Sequence, residues 1–202
     1  MMTIDEAEVR LVSFARTEII AKVVHSLVSI FPNLSPNTLT LLGIILAFVA
    51  SLLIVWQGLV VAAFPMFLSA LLDAFDGELA RTKGKVTSFG AVLDDTCDRV
   101  GEMLIFAAIF WVTGKCWSIY TAPISSFFVS YINATAKANG FKLSSGKALG
   151  RPGRVILLSL LMALSYWFPI SKTLWLIVLL NAYVLVKRFL NIYTLFRQGQ
   201  KT

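Results

Sequence analysis

Four aspartates at helical spacing are the residues of this sequence best suited to carry chemistry. Asp73 and Asp76 stand three residues apart, and Asp94 and Asp98 stand four residues apart. Residues three or four apart share one face of a helix, so each pair would present two neighbouring carboxylates. The segment between the pairs is short, which predicts that the two helices are antiparallel neighbours. All four carboxylates would then converge on one site.

Convergent carboxylates need positive charge nearby, because they cannot all stay ionised in a low-dielectric site. Mg²⁺ and Mn²⁺ prefer carboxylate oxygens, and two such ions about 3.5–4 Å apart can support an in-line phosphoryl displacement. Solvated helix ends are the alternative, but they rarely carry acids on both facing helices. We therefore predict two divalent cations, Mg²⁺ or Mn²⁺, bound by Asp73, Asp76, Asp94 and Asp98.

Small and basic residues accompany the acids. Gly77 and Ala80 would leave room beside Asp76 for a ligand, and Gly90 would do the same one turn before Asp94. Arg81 could neutralise a phosphate. The bunching of acids and small residues within one hydrophobic stretch indicates a site rather than a solvated surface.

The elements that position these residues are expected to be membrane helices. The chain has 202 residues, 57% of them hydrophobic and 14% charged, whereas soluble domains carry about 25% charged residues. We predict an all-α membrane protein with one domain over residues 1–202. It would comprise an amphipathic surface helix at residues 1–31 and a six-helix core at residues 35–197. The six spans are predicted near residues 37–55, 60–72, 90–113, 117–139, 155–168 and 174–196. The second apolar run continues into the charged stretch around Asp76 and Arg81.

The distribution of basic residues predicts the orientation in the membrane. Lys and Arg flank the second-to-third and fourth-to-fifth connections and both termini, while the opposite side offers only Lys115 and Lys172. The positive-inside rule then places both termini, and the aspartates, on the cytoplasmic side. Aromatic residues near the predicted span ends, among them Trp56, Trp111 and Trp117, are expected to form an interfacial belt.

At the acidic stretch the chain resembles the CDP-alcohol phosphotransferase family. The segment DAFDGELARTKGKVTSFGAVLDDTCD matches the family signature, DGxxAR followed by GxxxDxxxD, at every fixed position and spacing. Pro36, Asn37 and Thr40 also match the PNxLT entry to the first span. The six spans and the leading surface helix suit the family, so the resemblance extends over essentially the whole chain.

The resemblance implies a reaction and a role for each matched residue. Asp98 would be the general base that deprotonates an alcohol acceptor, which attacks the lipid-linked phosphorus of a CDP-lipid while CMP departs. Asp73, Asp76 and Asp94 would hold the metals, with Asp98 close by. The CDP-lipid pocket would be lined by Gly77, Ala80, Arg81, Gly90, Asn37 and Thr40.

The C-terminal half is basic and contains no acid after Glu102. Lys187 and Arg188 lie inside a predicted span, so we expect them to face the aspartates or an anionic substrate. The segments SYINATAKANG and GRPGR resemble the acceptor region of inositol-phosphate-using members, although Asn133 and Thr135 stand where basic residues are usual. We predict a phosphate-bearing acceptor, with inositol phosphate favoured, bound by Lys137, Arg151, Arg154, Lys187 and Arg188.

Several alternatives stay open at this point. Glycerol phosphate, serine or another small alcohol could be the acceptor, and the lipid could be of the phosphatidyl or archaetidyl type. Buried acids also serve cation or proton transporters, although no internal repeat is apparent. A non-catalytic membrane scaffold would have no reason to keep the metal-site spacing. The resemblance further implies a homodimer, and we expect membrane lipids but no nucleic acid as partners.

Overall fold

The computed structural model describes residues 35–141 and 151–197, and every regular element in these ranges is a helix. This confirms the prediction of an all-α protein. The amphipathic helix predicted at residues 1–31 lies outside the described residues. The α-helices are α1 (Pro36–Gln57), α2 (Leu59–Thr82), α3 (Ser88–Thr113), α4 (Trp117–Ala138), α5 (Arg151–Ala163) and α6 (Ile170–Arg197), and a 3₁₀ turn (Leu164–Tyr166) extends α5.

Local sequence signals explain where the first helices begin and end. Ser35 caps α1, since its side chain accepts a hydrogen bond from the Thr38 amide at 3.2 Å, and proline follows at the first helical position. Gly58 alone connects α1 to α2, with a φ of +93° that suits glycine. The helix α2 continues through the charged stretch to Thr82, so Asp73 and Asp76 lie on a regular helix.

Small residues allow the first three helices to approach closely. The Ser69 hydroxyl in α2 donates to the Gly43 carbonyl of α1 at 2.8 Å. Gly101 in α3 faces α1 so closely that a Cβ atom there would lie 3.1 Å from the Cβ of Ala47. Membrane helices commonly pack through such small residues, because lipid offers no hydrophobic driving force between them. The tight contact fixes α3, which carries Asp94 and Asp98, against α1.

The Gly101→Leu substitution is expected to lower stability by about 1–3 kcal/mol, since it forces extra atoms into a closed contact between α1 and α3. The thermal unfolding midpoint in detergent should fall accordingly. Ala182→Leu on the exposed face of α6 is the matched control, because it adds a large side chain where there is room. Equal midpoints for the two variants would contradict the close α1–α3 contact.

The exterior of the bundle suits a lipid environment. Three helices, α1, α2 and α6, are long and apolar enough to cross a membrane by length and composition. Many large apolar side chains point outward on these helices, such as Ile45, Phe64 and Leu179. Trp56, Trp111 and Trp117 are each at least three-quarters exposed and lie at the ends of helices. A membrane protein is therefore well supported, while six spans remain a prediction.

Successive helices run in alternate directions, which brings six helix ends together. Thr40 in α1 contacts Asp76 in α2, Asn37 lies beside Gly90 of α3, and Arg99 of α3 bonds to Ser130 of α4. The starts of α1, α3 and α5 and the ends of α2, α4 and α6 thus lie at one end of the bundle, here called the aspartate end. The main apolar core fills the other half, with Ile105, Met162 and Leu174 fully buried.

Candidate active site

Three of the four aspartates converge on one point at the aspartate end. Asp73 and Asp76 from α2 and Asp94 from α3 each place a carboxylate oxygen within 4.8 Å of the other two. Asp98 lines the same small cavity but is not a member of this group of three. The cavity measures about 20 Å³, a volume for water-sized occupants. Two facing helices therefore place the four acids in one site, as the helical spacing predicts.

The donor set fits a hard divalent cation. All of the converging groups are carboxylates, and oxygen ligands are the ones that Mg²⁺ and Mn²⁺ prefer. Asp76 is only 5% exposed, so its charge is shielded from bulk water and needs a compensating partner. Asp73, Asp76 and Asp94, with Asp98 beside them, could hold the cations.

Thr40 supports the site from the neighbouring helix. Its hydroxyl donates a 2.6 Å hydrogen bond to Asp76 Oδ2, and both residues are buried. Partners of this kind orient a metal-binding carboxylate. The sequence assigned Thr40 to the CDP-lipid pocket, and the structure places it directly behind an aspartate.

The Thr40→Val substitution is expected to weaken Mn²⁺ binding by roughly 10–100-fold, because it removes the hydrogen bond to Asp76 while keeping the shape of the side chain. Titration of purified protein with Mn²⁺, followed by electron paramagnetic resonance, measures this affinity. Ser51→Ala is the control in the same helix, since the Ser51 hydroxyl donates to the Phe48 carbonyl within α1. An unchanged affinity in Thr40→Val would remove this residue from the site.

Of the residues predicted for the CDP-lipid pocket, only Thr40 lines the aspartate cavity, and the others lie on α1, α2 and α3 outside its lining. Asn37 lies against Gly90, where its Oδ1 atom would be 3.3 Å from an added Cβ, and this joins the starts of α1 and α3. Gly77 and Ala80 lie on α2 beside Asp76. The Arg81 side chain is 66% exposed. Its guanidinium donates to Glu78 Oε2 through Nε at 3.1 Å and through Nη2 at 2.7 Å. Arg81 is thus exposed but paired with Glu78.

A second, larger cavity adjoins the aspartates and is lined by basic residues. It measures about 270 Å³, just below the roughly 300–1,000 Å³ that is typical of small-molecule sites. Lys137 from α4, Arg154 from α5 and Arg188 from α6 line it. Asp98 lines this cavity as well as the aspartate cavity. One carboxylate therefore stands between a metal-type site and a basic pocket, here called the basic cavity.

Arg154 and Arg188 are buried, with only 5% and 9% of their surface exposed. Arg154 Nη2 donates to Ser130 Oγ at 3.3 Å, and Arg188 Nη1 donates to the Val129 carbonyl. A backbone carbonyl was not among the partners expected for Arg188 from the sequence. Buried guanidinium groups at the wall of a cavity are suited to bind an anion through charge-assisted hydrogen bonds.

The structure does not bring every predicted acceptor residue to the basic cavity. Lys187 is exposed, and its ammonium lies 5.9 Å from the centroid of the Tyr183 ring on the same helix. Arg151 begins α5, and its side chain lies outside the described residues. The sequence reasoning also missed Ser130, Asn133 and Asp95, which line this cavity. Ser130 and Asn133 lie in the SYINATAKANG segment, so a signal for them was present.

Two acids outside the signature form ion pairs along their own helices. Glu78 pairs with Arg81, and Glu102 pairs with Arg99 at 3.1 Å. Arg99 Nη2 also lies 3.9 Å from Asp98 Oδ2. Arg99 is thus a counter-charge to Glu102, and it also lines the basic cavity.

Known proteins are similar to this chain in sequence and fold. Residues 33–193 match the model of the CDP-alcohol phosphatidyltransferase family. A phosphatidylinositol phosphate synthase from Mycobacteroides abscessus is 32% identical over 190 residues, which cover 85% of this chain and 84% of the relative. The matched region contains all of the helices that carry the four aspartates and most of α6.

Two crystal structures of the phosphatidylinositol phosphate synthase from Mycobacterium tuberculosis are also similar. The one with CDP-DAG bound has a TM-score of 0.70 at 27% identity and covers 88% of this chain and 94% of that chain. The one in complex with manganese and citrate has a TM-score of 0.70 at 26% identity, over 87% of this chain and 89% of that chain. The fold described above is thus shared nearly end to end with these structures.

Proposed function

Because the chain belongs to the CDP-alcohol phosphatidyltransferase family, we propose that it transfers the phosphatidyl-type group of a CDP-lipid to inositol phosphate and releases CMP. Family membership identifies the chain as a membrane phosphotransferase of phospholipid biosynthesis that uses divalent cations. It also removes the transporter and scaffold alternatives. The similar proteins act as phosphatidylinositol phosphate synthases, which favours inositol phosphate as the acceptor.

The observation that carries the proposal is the position of Asp98 between two cavities. On one side are the carboxylates that would hold two divalent cations, Mg²⁺ or Mn²⁺. When bound, these ions neutralise the charge on the phosphoryl oxygens and on the departing CMP. On the other side lies the basic cavity, where an acceptor would present its hydroxyl to Asp98.

The proposed donor site is the open rim of the aspartate cavity. The CDP head group would approach the backbone at Gly77 and Ala80, where side chains are small, and its phosphates would attract Arg81. Arg81 is exposed and can exchange its contact with Glu78 for a phosphate, because surface ion pairs are weak. Asn37, Thr40 and Gly90 complete the proposed site at the starts of α1 and α3.

The proposed acceptor site is the basic cavity. The phosphate of the acceptor would bind Arg154 and Arg188, with Lys137 and the nearby start of α5 at Arg151 adding positive charge. Lys187 is left out, since its ammonium lies over Tyr183. Buried arginines recognise phosphate through paired hydrogen bonds, which supports a phosphate-bearing acceptor over serine. A volume of about 270 Å³ also leaves room for the ring of inositol, which is larger than glycerol.

The chain's own residues would then perform the transfer. Asp98 accepts the proton of the acceptor hydroxyl, and the oxygen attacks the lipid-linked phosphorus. The bond from that phosphorus to the CMP oxygen breaks, so CMP leaves and the new phosphodiester joins lipid and acceptor. Because Arg154 and Arg188 are buried, they would hold the phosphate of the acceptor in a fixed position relative to Asp98.

We further propose one domain over residues 1–202 with six membrane spans and an amphipathic surface helix at residues 1–31. Both termini and the active site would face the cytoplasm, because basic residues cluster at the aspartate end. The exposed tryptophans at the opposite helix ends suit the other interface. Two copies would associate as a homodimer, which crosslinking in the membrane can examine.

The test is CMP release by purified protein with CDP-diacylglycerol, Mg²⁺ or Mn²⁺, and one acceptor at a time. Inositol phosphate, glycerol phosphate, serine and inositol form the panel. The expected result is metal-dependent release with inositol phosphate and little release with unphosphorylated inositol. Release that prefers glycerol phosphate or serine would reassign the acceptor within the same reaction. Absence of release with every acceptor, despite bound CDP-diacylglycerol, would refute the proposed acceptor class.

A further inference from the structure

Glu102 is a buried acid that the proposed reaction does not use. Only 4% of its surface is exposed, and among the described residues it lines neither the aspartate cavity nor the basic cavity. A buried carboxylate is tolerated only when it is paired and hydrogen-bonded. Its partner is Arg99 of the same helix, whose Nη1 donates to Glu102 Oε2 at 3.1 Å.

The Arg99 guanidinium contacts two further groups. Nη1 donates to Ser130 Oγ of α4 at 2.6 Å, and Nη2 lies 3.9 Å from Asp98 Oδ2. A planar guanidinium with five donors can serve several acceptors in fixed directions, which a lysine cannot do. Arg99 therefore links the proposed base on α3 to the helix α4.

Ser130 extends this link to the wall of the basic cavity. Its hydroxyl oxygen accepts from both Arg99 and Arg154, and the hydroxyl donates to the Ser126 carbonyl at 3.2 Å. A continuous chain of contacts thus runs from Glu102 through Arg99 and Ser130 to Arg154. It joins three helices at the level where the acceptor would bind.

The packing of the helices explains why such a link matters. The helix α3 packs on α1, and α4 packs on α6, whereas α3 and α4 touch at few points. The acceptor site nevertheless needs Asp98 from α3 and Arg188 from α6. A displacement of about 1 Å can cost roughly 100-fold in rate. The pair α1 and α3 must therefore be held in a fixed position relative to the pair α4 and α6.

We propose that Glu102 is a positioning residue that holds Arg99 in this bridging arrangement. The Glu102 carboxylate keeps the Arg99 guanidinium bonded to Ser130. It thereby prevents this guanidinium from pairing through two hydrogen bonds with Asp98, which would block Asp98 as the base. The inference rests on the proposed transfer reaction and adds to it a residue that contacts no substrate.

The test compares Glu102→Gln with wild type in CMP release, varying inositol phosphate and CDP-diacylglycerol separately. We expect kcat/KM for inositol phosphate to fall by roughly 10–100-fold, as misplacement of the base predicts. The KM for CDP-diacylglycerol should stay within about twofold, because neither Glu102 nor its partner Arg99 lines the aspartate cavity. Ser159→Ala is the control, a buried serine that donates to Ile156 within α5.

Two results would overturn the proposal. One is an acceptor kcat/KM in Glu102→Gln that stays within about threefold of wild type. The other is a parallel loss of donor affinity, which would make Glu102 a general structural residue. An active wild type beside an unaffected variant refutes this inference alone, whereas an inactive wild type refutes the proposed function.

A second variant keeps the test decisive if Glu102→Gln does not fold. Arg99→Lys keeps the charge but cannot reach Glu102 and Ser130 together, so it should show the same selective loss for the acceptor. Where both variants fold, adding Glu102→Gln to Arg99→Lys should cause little further loss, because Glu102 acts through Arg99. If the losses of the two single variants instead multiplied in the double variant, Glu102 would act independently of Arg99, which contradicts the proposal.

Discussion

Replacing Asp98 by asparagine is expected to lower the rate of CMP release by about 100- to 10,000-fold, the range for loss of a general base. Asparagine keeps the size of the side chain and an oxygen atom, but its amide cannot accept the acceptor's proton at neutral pH. The position of Asp98 on both cavities makes it the residue where the loss should be greatest. The kcat of the purified variant, at saturating donor and acceptor, measures the effect.

The binding of CDP-diacylglycerol separates this effect from unfolding. Asp98→Asn should bind the donor nearly as well as wild type, because Asp98 lies outside the group formed by Asp73, Asp76 and Asp94. Thr96→Val, on the same turn of α3, is the control, since the Thr96 side chain is exposed and its hydroxyl donates to the Val92 carbonyl. If Asp98→Asn retained more than about a tenth of the wild-type rate, another group would have to be the base.

Replacing Arg188 by methionine is expected to raise the KM for inositol phosphate by roughly 10- to 100-fold. A hydrogen bond to a charged group contributes about 1.5–3 kcal/mol, and each 1.4 kcal/mol is a factor of ten. Methionine fills much of the space without the charge, and the contact with the Val129 carbonyl is lost together with phosphate binding. Steady-state CMP release at varied inositol phosphate gives the KM.

The neighbouring lysine provides a matched control for Arg188. Lys187→Met removes a positive charge one residue away, but the Lys187 ammonium lies over Tyr183 and does not line the basic cavity. We expect its KM for inositol phosphate to change by less than about twofold, as for most exposed charges. Equal increases in the two variants would indicate a general electrostatic attraction in place of a phosphate site at Arg188.

The sequence by itself was sufficient to predict the helices and the convergence of the acids. The spacing within each aspartate pair is a local property, and the short connection forces α2 and α3 to be neighbours. Ser35, Pro36 and Gly58 mark helix ends through backbone chemistry that needs no distant contact. For the same reason the predicted and observed helices coincide closely along the described residues.

The tertiary structure decided which basic residues meet Asp98. Lys187 and Arg188 are adjacent and chemically alike, yet Arg188 is buried at the cavity wall while Lys187 is exposed. Helical periodicity fixes the angle between two side chains on one helix, but not which of them faces the bundle. That choice depends on how α6 packs against α4, where Arg188 finds the Val129 carbonyl.

The contacts of Arg99 were likewise beyond the reach of the sequence. Its pairing with Glu102 follows from a spacing of three residues, but its bond to Ser130 joins positions 31 residues apart on different helices. Such a contact depends on the relative rotation and depth of α3 and α4, which many side chains determine together. The sequence therefore identified the acids proposed to hold the metals, whereas packing between helices decided where the basic cavity lies and which contacts fix its position.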